Sequence, residues 1–181
     1  MPMPLLSPDM KIFLVGFMGT GKTTLGRMLA ERLGWEFQDL DAVLEKDEGA
    51  PITRIFAEKG EPFFRELETR SLARIVAAPG RAVVACGGGA FCAPENQALM
   101  RGGGITVWLD QPFEQIWERR KDLARGRPLM RGESELRALY EQRRDSYRAA
   151  TLHLPVTEGG LPQALDELLR FLAERFGVNA P

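Results

Sequence analysis

The residues Gly16 to Thr23, GFMGTGKT, carry the densest chemistry in the chain. They match G-x-x-x-x-G-K-[ST], a loop whose backbone N–H groups close around phosphate oxygens. Gly19 and Gly21 have no Cβ to obstruct that turn. Lys22 adds a full positive charge within reach of terminal phosphates, and the hydroxyl of Thr23 is a hard oxygen of the kind Mg²⁺ takes. Gly19, Thr20, Gly21, Lys22, Thr23 and Thr24 therefore form the candidate nucleotide-phosphate site. Carboxylates that could serve a metal or a proton occur in two places. Asp39 and Asp41 stand as D-x-D in FQDLD, which in extended backbone puts both on one side. Asp110 ends the apolar run ITVWLD, but Gln111-Pro112-Phe113 follows it, and a helix cap with proline in the first turn explains it without chemistry. A cap for residues 42–46 is also an explanation open to Asp39 and Asp41.

These groups need a scaffold. Lys11 to Val15 is an apolar run stopped by Gly16, which reads as a buried strand, and Leu25, Met28, Leu29 and Leu33 recur at helical spacing before Gly34. The phosphate loop thus lies between a strand and a helix, the context its chemistry requires. Further apolar runs at residues 82–85 and 105–109, and a weaker one at 151–156, alternate with helix-compatible stretches. That alternation predicts one α/β domain with a parallel sheet covered by helices on both faces. A terminal helix is expected from Leu161, Leu165, Leu168, Leu169, Leu172 and Phe176, opened by Pro162.

Composition narrows the function. The 181 residues are 44% hydrophobic and carry a net charge of −1, enough apolar mass for one core and without the basic excess of a nucleic-acid binder. No apolar run approaches the ~18 residues that cross a bilayer, and MPMPLLSPD lacks the features of a secretory signal, so a cytoplasmic protein is expected. Cys86, Cys92 and a single His153 cannot build a Cys/His zinc site, and all three read as structural. The asparagines, Asn96 and Asn179, do not stand in N-K-x-D, which argues against guanine-specific GTP binding, and His153 is followed by Leu-Pro rather than by a protein-kinase H-R-D. A small acceptor is the expectation.

Taken together, GFMGTGKT, FQDLDAVLE at Phe37 to Glu45, GEPFFRELE at Gly60 to Glu68, GGGA at Gly87 to Ala90, RPLM at Arg127 to Met130 and YRAAT at Tyr147 to Thr151 resemble the shikimate kinase family, in its order and from Lys11 to about Thr157. The resemblance implies a single-domain P-loop kinase fold: a five-stranded parallel sheet, helices on both faces and a mobile lid, occupying residues 10–178; residues 1–9 lie outside it and are expected to be a disordered N-terminal extension. It implies ATP as co-substrate, Mg²⁺ as cofactor, shikimate phosphorylated at its 3-hydroxyl and a monomer without nucleic-acid or membrane partners. Residue by residue, it implies that Asp41 holds the acceptor hydroxyl, Asp39 orients water on the Mg²⁺ that Thr23 ligates, and Arg65 and Arg148 take the shikimate carboxylate. It assigns Gly87, Gly88 and Gly89 to the acceptor ring.

The segment 119–148 holds ten basic against five acidic side chains, a local charge of +5, and their concentration in RRKDLARGRPLMRGE fits a lid between Asp122 and Glu133 that lowers arginine onto ATP. By resemblance Arg127 approaches the transferring phosphoryl group and Arg120 the adenine end. An RNA-binding patch is disfavoured because no aromatic residue lies between Trp117 and Tyr140 to stack a base. A kinase for another hydroxylated acid such as gluconate, or a ligand-sensing module without catalysis, remain the competing readings.

Overall fold

The computed structural model describes residues 7–123, 132–179 and 181. Five strands form the sheet: β1 (Lys11–Val15), β2 (Glu36–Asp39), β3 (Ala82–Ala85), β4 (Gly104–Asp110) and β5 (Leu152–Pro155). All neighbours are parallel, in the order β2-β3-β1-β4-β5. The central strand β1 is buried along its whole length, because a parallel strand covered on both faces has no solvent side. Its alternate residues serve different layers. Phe13 and Val15 pack with Leu40, Leu44, Phe64, Leu72 and Tyr147, whereas Ile12 and Leu14 pack with Leu25, Leu29, Leu165 and Leu168.

The second of those layers is built by α1 (Lys22–Leu33) and α7 (Gly160–Phe176). The first is built by α2 (Leu40–Glu48), α3 (Ile52–Ala77), α4 (Pro94–Gly103) and α6 (Glu133–Tyr147), with α5 (Phe113–Leu123) adding Phe113 and Ile116. The expected terminal helix is α7, and Gly34 ends α1 in the left-handed conformation, its N–H reaching Ala30 and Glu31 carbonyls. The weak run at 151–156 is the edge strand β5. Leu152 and Leu154 point inward while His153 and Pro155 point out, which explains its faint apolar signature. Helix α3 is broken at Gly60, whose φ of 80° favours glycine, and Pro62 follows. The break re-aims the second half, which carries Phe64, Arg65 and Glu68.

Strand order decides where a ligand can sit. β1 continues through α1 toward β2, on one side, whereas β3 continues through α4 toward β4, on the other. Adjacent strands whose connections diverge leave a crevice at their carboxyl ends. The phosphate loop follows β1 and the three glycines follow β3, so both candidate motifs meet at that crevice.

At the opposite end of the sheet Lys11 is 1% exposed, and its Nζ donates to the carbonyls of Asp9, Ala78 and Gly80 at 2.7, 2.8 and 2.6 Å. The Asp9 carboxylate accepts from the Gly80 N–H at 2.7 Å, so the end of the extension expected to be disordered is instead tied to the domain at Asp9. Among the described residues no helix is long and apolar enough to cross a membrane.

Candidate active site

Gly16, Gly19 and Gly21 adopt φ values of 139°, 77° and 94°, a sequence of turns that L side chains rarely follow, and α1 begins at Lys22. The Thr20 hydroxyl donates to the Phe17 carbonyl at 2.9 Å and pins the loop from inside. Lys22 is 9% exposed, and its Nζ donates to the carbonyls of Gly16 and Phe17 at 2.9 and 2.7 Å. Those neutral acceptors compensate burial incompletely, so burial lowers its pKa to about 8, against the raising influence of Cys86, Asp41 and Asp39. A phosphate at the loop would supply the missing negative charge.

The two carboxylate oxygens of Asp39 have different partners. One carboxylate oxygen caps α2, accepting from the Asp41 and Ala42 N–H groups at 3.0 and 3.5 Å. The other accepts from the Thr23 hydroxyl at 2.8 Å, placing two hard oxygen donors at the mouth of the phosphate loop. Asp41 lies in the first turn of α2 and faces the crevice. Burial, then the neighbouring Asp39 charge, raises its pKa. Asp110 does not join them. Its Oδ2 receives His153 Nε2 at 2.8 Å and lies 3.5 Å from Arg144, while His153 stacks on Trp108 at 4.4 Å.

A cleft of about 310 Å³ connects these groups, lined by Met18, Gly21, Lys22, Asp39, Asp41 and Gly88 among others. The glycine triplet explains its shape. None of the three has positive φ, so glycine is required here by space and not by backbone conformation. A Cβ on Gly87 would stand 2.9 Å from Asp41 Oδ1, one on Gly88 3.2 Å from Arg143 Nη1, and one on Gly89 2.6 Å from Arg65 Nη1. One carboxylate and two guanidinium groups therefore occupy the spaces of three absent side chains.

Arg65 is held there by buried Glu68, 1% exposed, at 2.9 Å, and by Glu61 at 3.3 Å. Burial raises the Glu68 pKa, a rise the Arg65 charge opposes. Arg148, expected from the resemblance to join Arg65, is not brought to the cleft. Its side chain is 63% exposed and pairs with Asp145 at 2.8 Å. Arg143, which no motif in the sequence marked, is the α6 arginine that reaches the glycine triplet, at Gly88. Leu136, Tyr140 and Tyr147 are the buried residues of α6. Arg143 stands at position i+7 of that i, i+4, i+11 stripe and shares its face. That stripe was the available signal.

Arg120 lies beside the phosphate loop, its Nη1 3.6 Å from Met18 Sδ and its buried Nε without a partner. With Gly19, Ile116 and Arg119 it lines a depression of about 130 Å³. Arg119 donates to the Gly19 carbonyl at 2.8 Å and to Gln111 Oε1 at 2.7 Å, bracing the loop from α5. Arg127 and residues 124–131 of the expected lid lie outside the described residues. Cys86 is buried in the cleft wall, and its thiol is pushed far above the ordinary cysteine range, chiefly by burial, which suits the structural role expected of it.

A phosphate loop on β1–α1, a carboxylate pair across it and guanidinium groups at the switch point define a P-loop phosphotransferase for a small anionic acceptor. The family model described as shikimate kinase matches residues 18–173. A shikimate kinase of Persephonella marina is 42% identical over 159 residues, 87% of this chain and 96% of its own. One of Synechococcus elongatus is 43% identical over 84% and 80% of the two chains. Among solved structures, shikimate kinase from Acinetobacter baumannii in complex with shikimate aligns with a TM-score of 0.81 at 36% identity, covering 92% of this chain and 94% of that one. The chain belongs to the shikimate kinase family. A gluconokinase from Sinorhizobium meliloti, at 20% identity and a TM-score of 0.59, shares the fold.

Proposed function

We propose that the chain transfers the γ-phosphoryl group of ATP to the 3-hydroxyl of shikimate, yielding ADP and shikimate 3-phosphate. The observation that carries this reading is the row of Asp41, Arg143 and Arg65 against Gly87, Gly88 and Gly89, beside the phosphate loop. Two guanidinium forks suit a planar carboxylate, and a single carboxylate nearer Lys22 suits a hydroxyl. In this reading Arg65 and Arg143 hold the acceptor's carboxylate and Asp41 aligns its hydroxyl. The hydroxyl oxygen bonds to the γ-phosphorus as the bond to the β–γ bridging oxygen breaks, and the hydroxyl proton passes to Asp41. A raised pKa brings Asp41 closer to what a proton acceptor near neutral pH needs. Lys22 exchanges its carbonyl partners for phosphate oxygens and follows the charge onto the leaving ADP. Arg120 reaches toward the adenine end, and Arg127 toward the phosphoryl group in flight, as the family pattern implies.

Thr23 and Asp39 are the residues proposed to hold Mg²⁺, Thr23 directly and Asp39 through water. Their hard oxygens at the mouth of the loop fit such an ion. Among the described residues no group of three or more His, Cys, Asp or Glu could hold a metal. When bound, that ion neutralises charge across the β- and γ-phosphates. The proposal also takes the chain as a monomer in the cytoplasm, to be checked by sedimentation and fractionation.

The decisive experiment is ADP release with Mg²⁺ and ATP in the presence of shikimate, gluconate or no acceptor. Shikimate should stimulate release strongly and gluconate little. Equal or greater turnover with gluconate refutes the acceptor assignment.

A further inference from the structure

Tyr147 takes no part in the chemistry above, yet its hydroxyl is placed between two groups that do. The side chain is 2% exposed and packs near Trp108, with ring centroids 6.1 Å apart. Its hydroxyl donates a hydrogen bond to the Gly88 carbonyl. The Arg143 guanidinium faces the same peptide, its Nη1 3.2 Å from where a Cβ on Gly88 would stand, and Arg143 and Tyr147 are neighbours at i and i+4 on α6. The Tyr147 hydroxyl and the Arg143 guanidinium thus meet at the middle peptide of the glycine triplet. Cys92 Sγ, 3.9 Å from the same carbonyl, is a much weaker partner. The acidity of the phenol argues against a role in proton transfer, because burial pushes its pKa well above the ordinary tyrosine range.

We propose that Tyr147 is the positioning residue for the acceptor carboxylate: its hydroxyl fixes Arg143 against Gly88 and so selects acids over their uncharged analogues. Three observations support this. A Cβ on Gly88 would lie 3.2 Å from Arg143 Nη1 and 3.3 Å from the Met18 backbone nitrogen, so this peptide sits where α6 meets the phosphate loop. Arg143 has four rotatable side-chain bonds and partial exposure, so an unanchored guanidinium would sample positions away from the cleft. Glu68 performs the corresponding anchoring for Arg65. Among the described residues Arg143 is in no ion pair, and the Tyr147 hydroxyl is the polar group of its own helix that lies at the same Gly88 peptide.

The inference rests on the reading that Arg143 binds the acceptor carboxylate, and the experiment separates the two. Tyr147→Phe keeps the ring and removes only the hydroxyl. The affinity of the enzyme for shikimate and for its methyl ester is measured with wild type, Tyr147→Phe and Arg143→Ala, at 10 °C as well as 25 °C so that reduced thermal stability cannot imitate the effect. In Tyr147→Phe the preference for acid over ester should fall by about tenfold, the shikimate KM should rise by a similar factor, and kcat should hold within roughly threefold. A residue that merely filled space would weaken acid and ester alike, or neither, so an unchanged preference overturns the proposal. If Arg143→Ala retains the wild-type preference, the carboxylate role of Arg143 falls instead. If Arg143→Ala loses the preference and Tyr147→Phe keeps it, the positioning role alone is refuted.

Discussion

Gly89→Ala is the most economical test of how the cleft is built. Gly89 has φ −94° and ψ −16°, values alanine adopts freely, so the substitution probes space and leaves the backbone unstrained. The new methyl would stand 2.6 Å from Arg65 Nη1, 2.7 Å from Nη2 and 2.9 Å from Cζ. Ordinary contact needs about 3.5 Å, so the guanidinium must move by about 1 Å. A displacement of that size spoils a bidentate hydrogen bond while leaving the charge in the neighbourhood. The loss expected is about 1.5–3 kcal/mol, the value of hydrogen bonds to charged groups, or a rise in shikimate KM of about 10- to 150-fold. Because the obstructing atoms are the far end of a flexible side chain, stability should change little. Steady-state kinetics with shikimate and ATP varied separately, and the double variant Gly89→Ala/Arg65→Ala, complete the assay. If the glycine acts through Arg65, the double variant is no weaker than Arg65→Ala alone. An additive loss, or a rise in KM confined to ATP, refutes the reasoning.

The buried lysine gives a pH signature. Lys22 sits at about 8 without a ligand, and a phosphate anion stabilises its charged form, so binding of metal-free ADP should take up little proton on its account near pH 7 and nearly one near pH 9. Affinity then falls as pH rises through about 8, and calorimetry in buffers of different ionisation heat counts the proton; no uptake near pH 9 contradicts the placement. Asp41→Asn should lower turnover by ~10²-fold or more with nucleotide affinity almost unchanged, and near-wild-type turnover removes Asp41 from the proton's path. Arg143→Ala should raise the shikimate KM about tenfold or more, whereas Arg148→Ala, an exposed side chain paired with Asp145, should leave it within about twofold. The reverse ranking in steady-state kinetics restores Arg148 to the site.

What the sequence determined by itself is what is local. The phosphate loop is legible because its glycines, lysine and threonine are contiguous and their chemistry depends on backbone torsions that glycine alone tolerates well. Strands β1, β3 and β4 are legible because burial on both faces demands continuous apolar runs, while β5, an edge strand with His153 and Pro155 facing outward, gave a weaker signal. The Asp39–Asp41 pair was legible as chemistry, but only the fold shows that Asp39 serves α2 as a cap and Thr23 as a partner together.

Tertiary structure decided which arginine faces the cleft. Arg143 and Arg148 are five residues apart, about 140° around a helix, so they cannot serve the same face. The docking of Leu136, Tyr140 and Tyr147 against the core sets the rotation of α6 and turns Arg143 inward. It also decided the meaning of the three glycines. In sequence they suggest a backbone open to a ligand ring; in the fold, Asp41, Arg143 and Arg65, drawn from α2, α6 and α3, fill the Cβ positions. Contacts between elements so far apart in the chain depend on the packing of whole helices, which no local pattern of residues encodes.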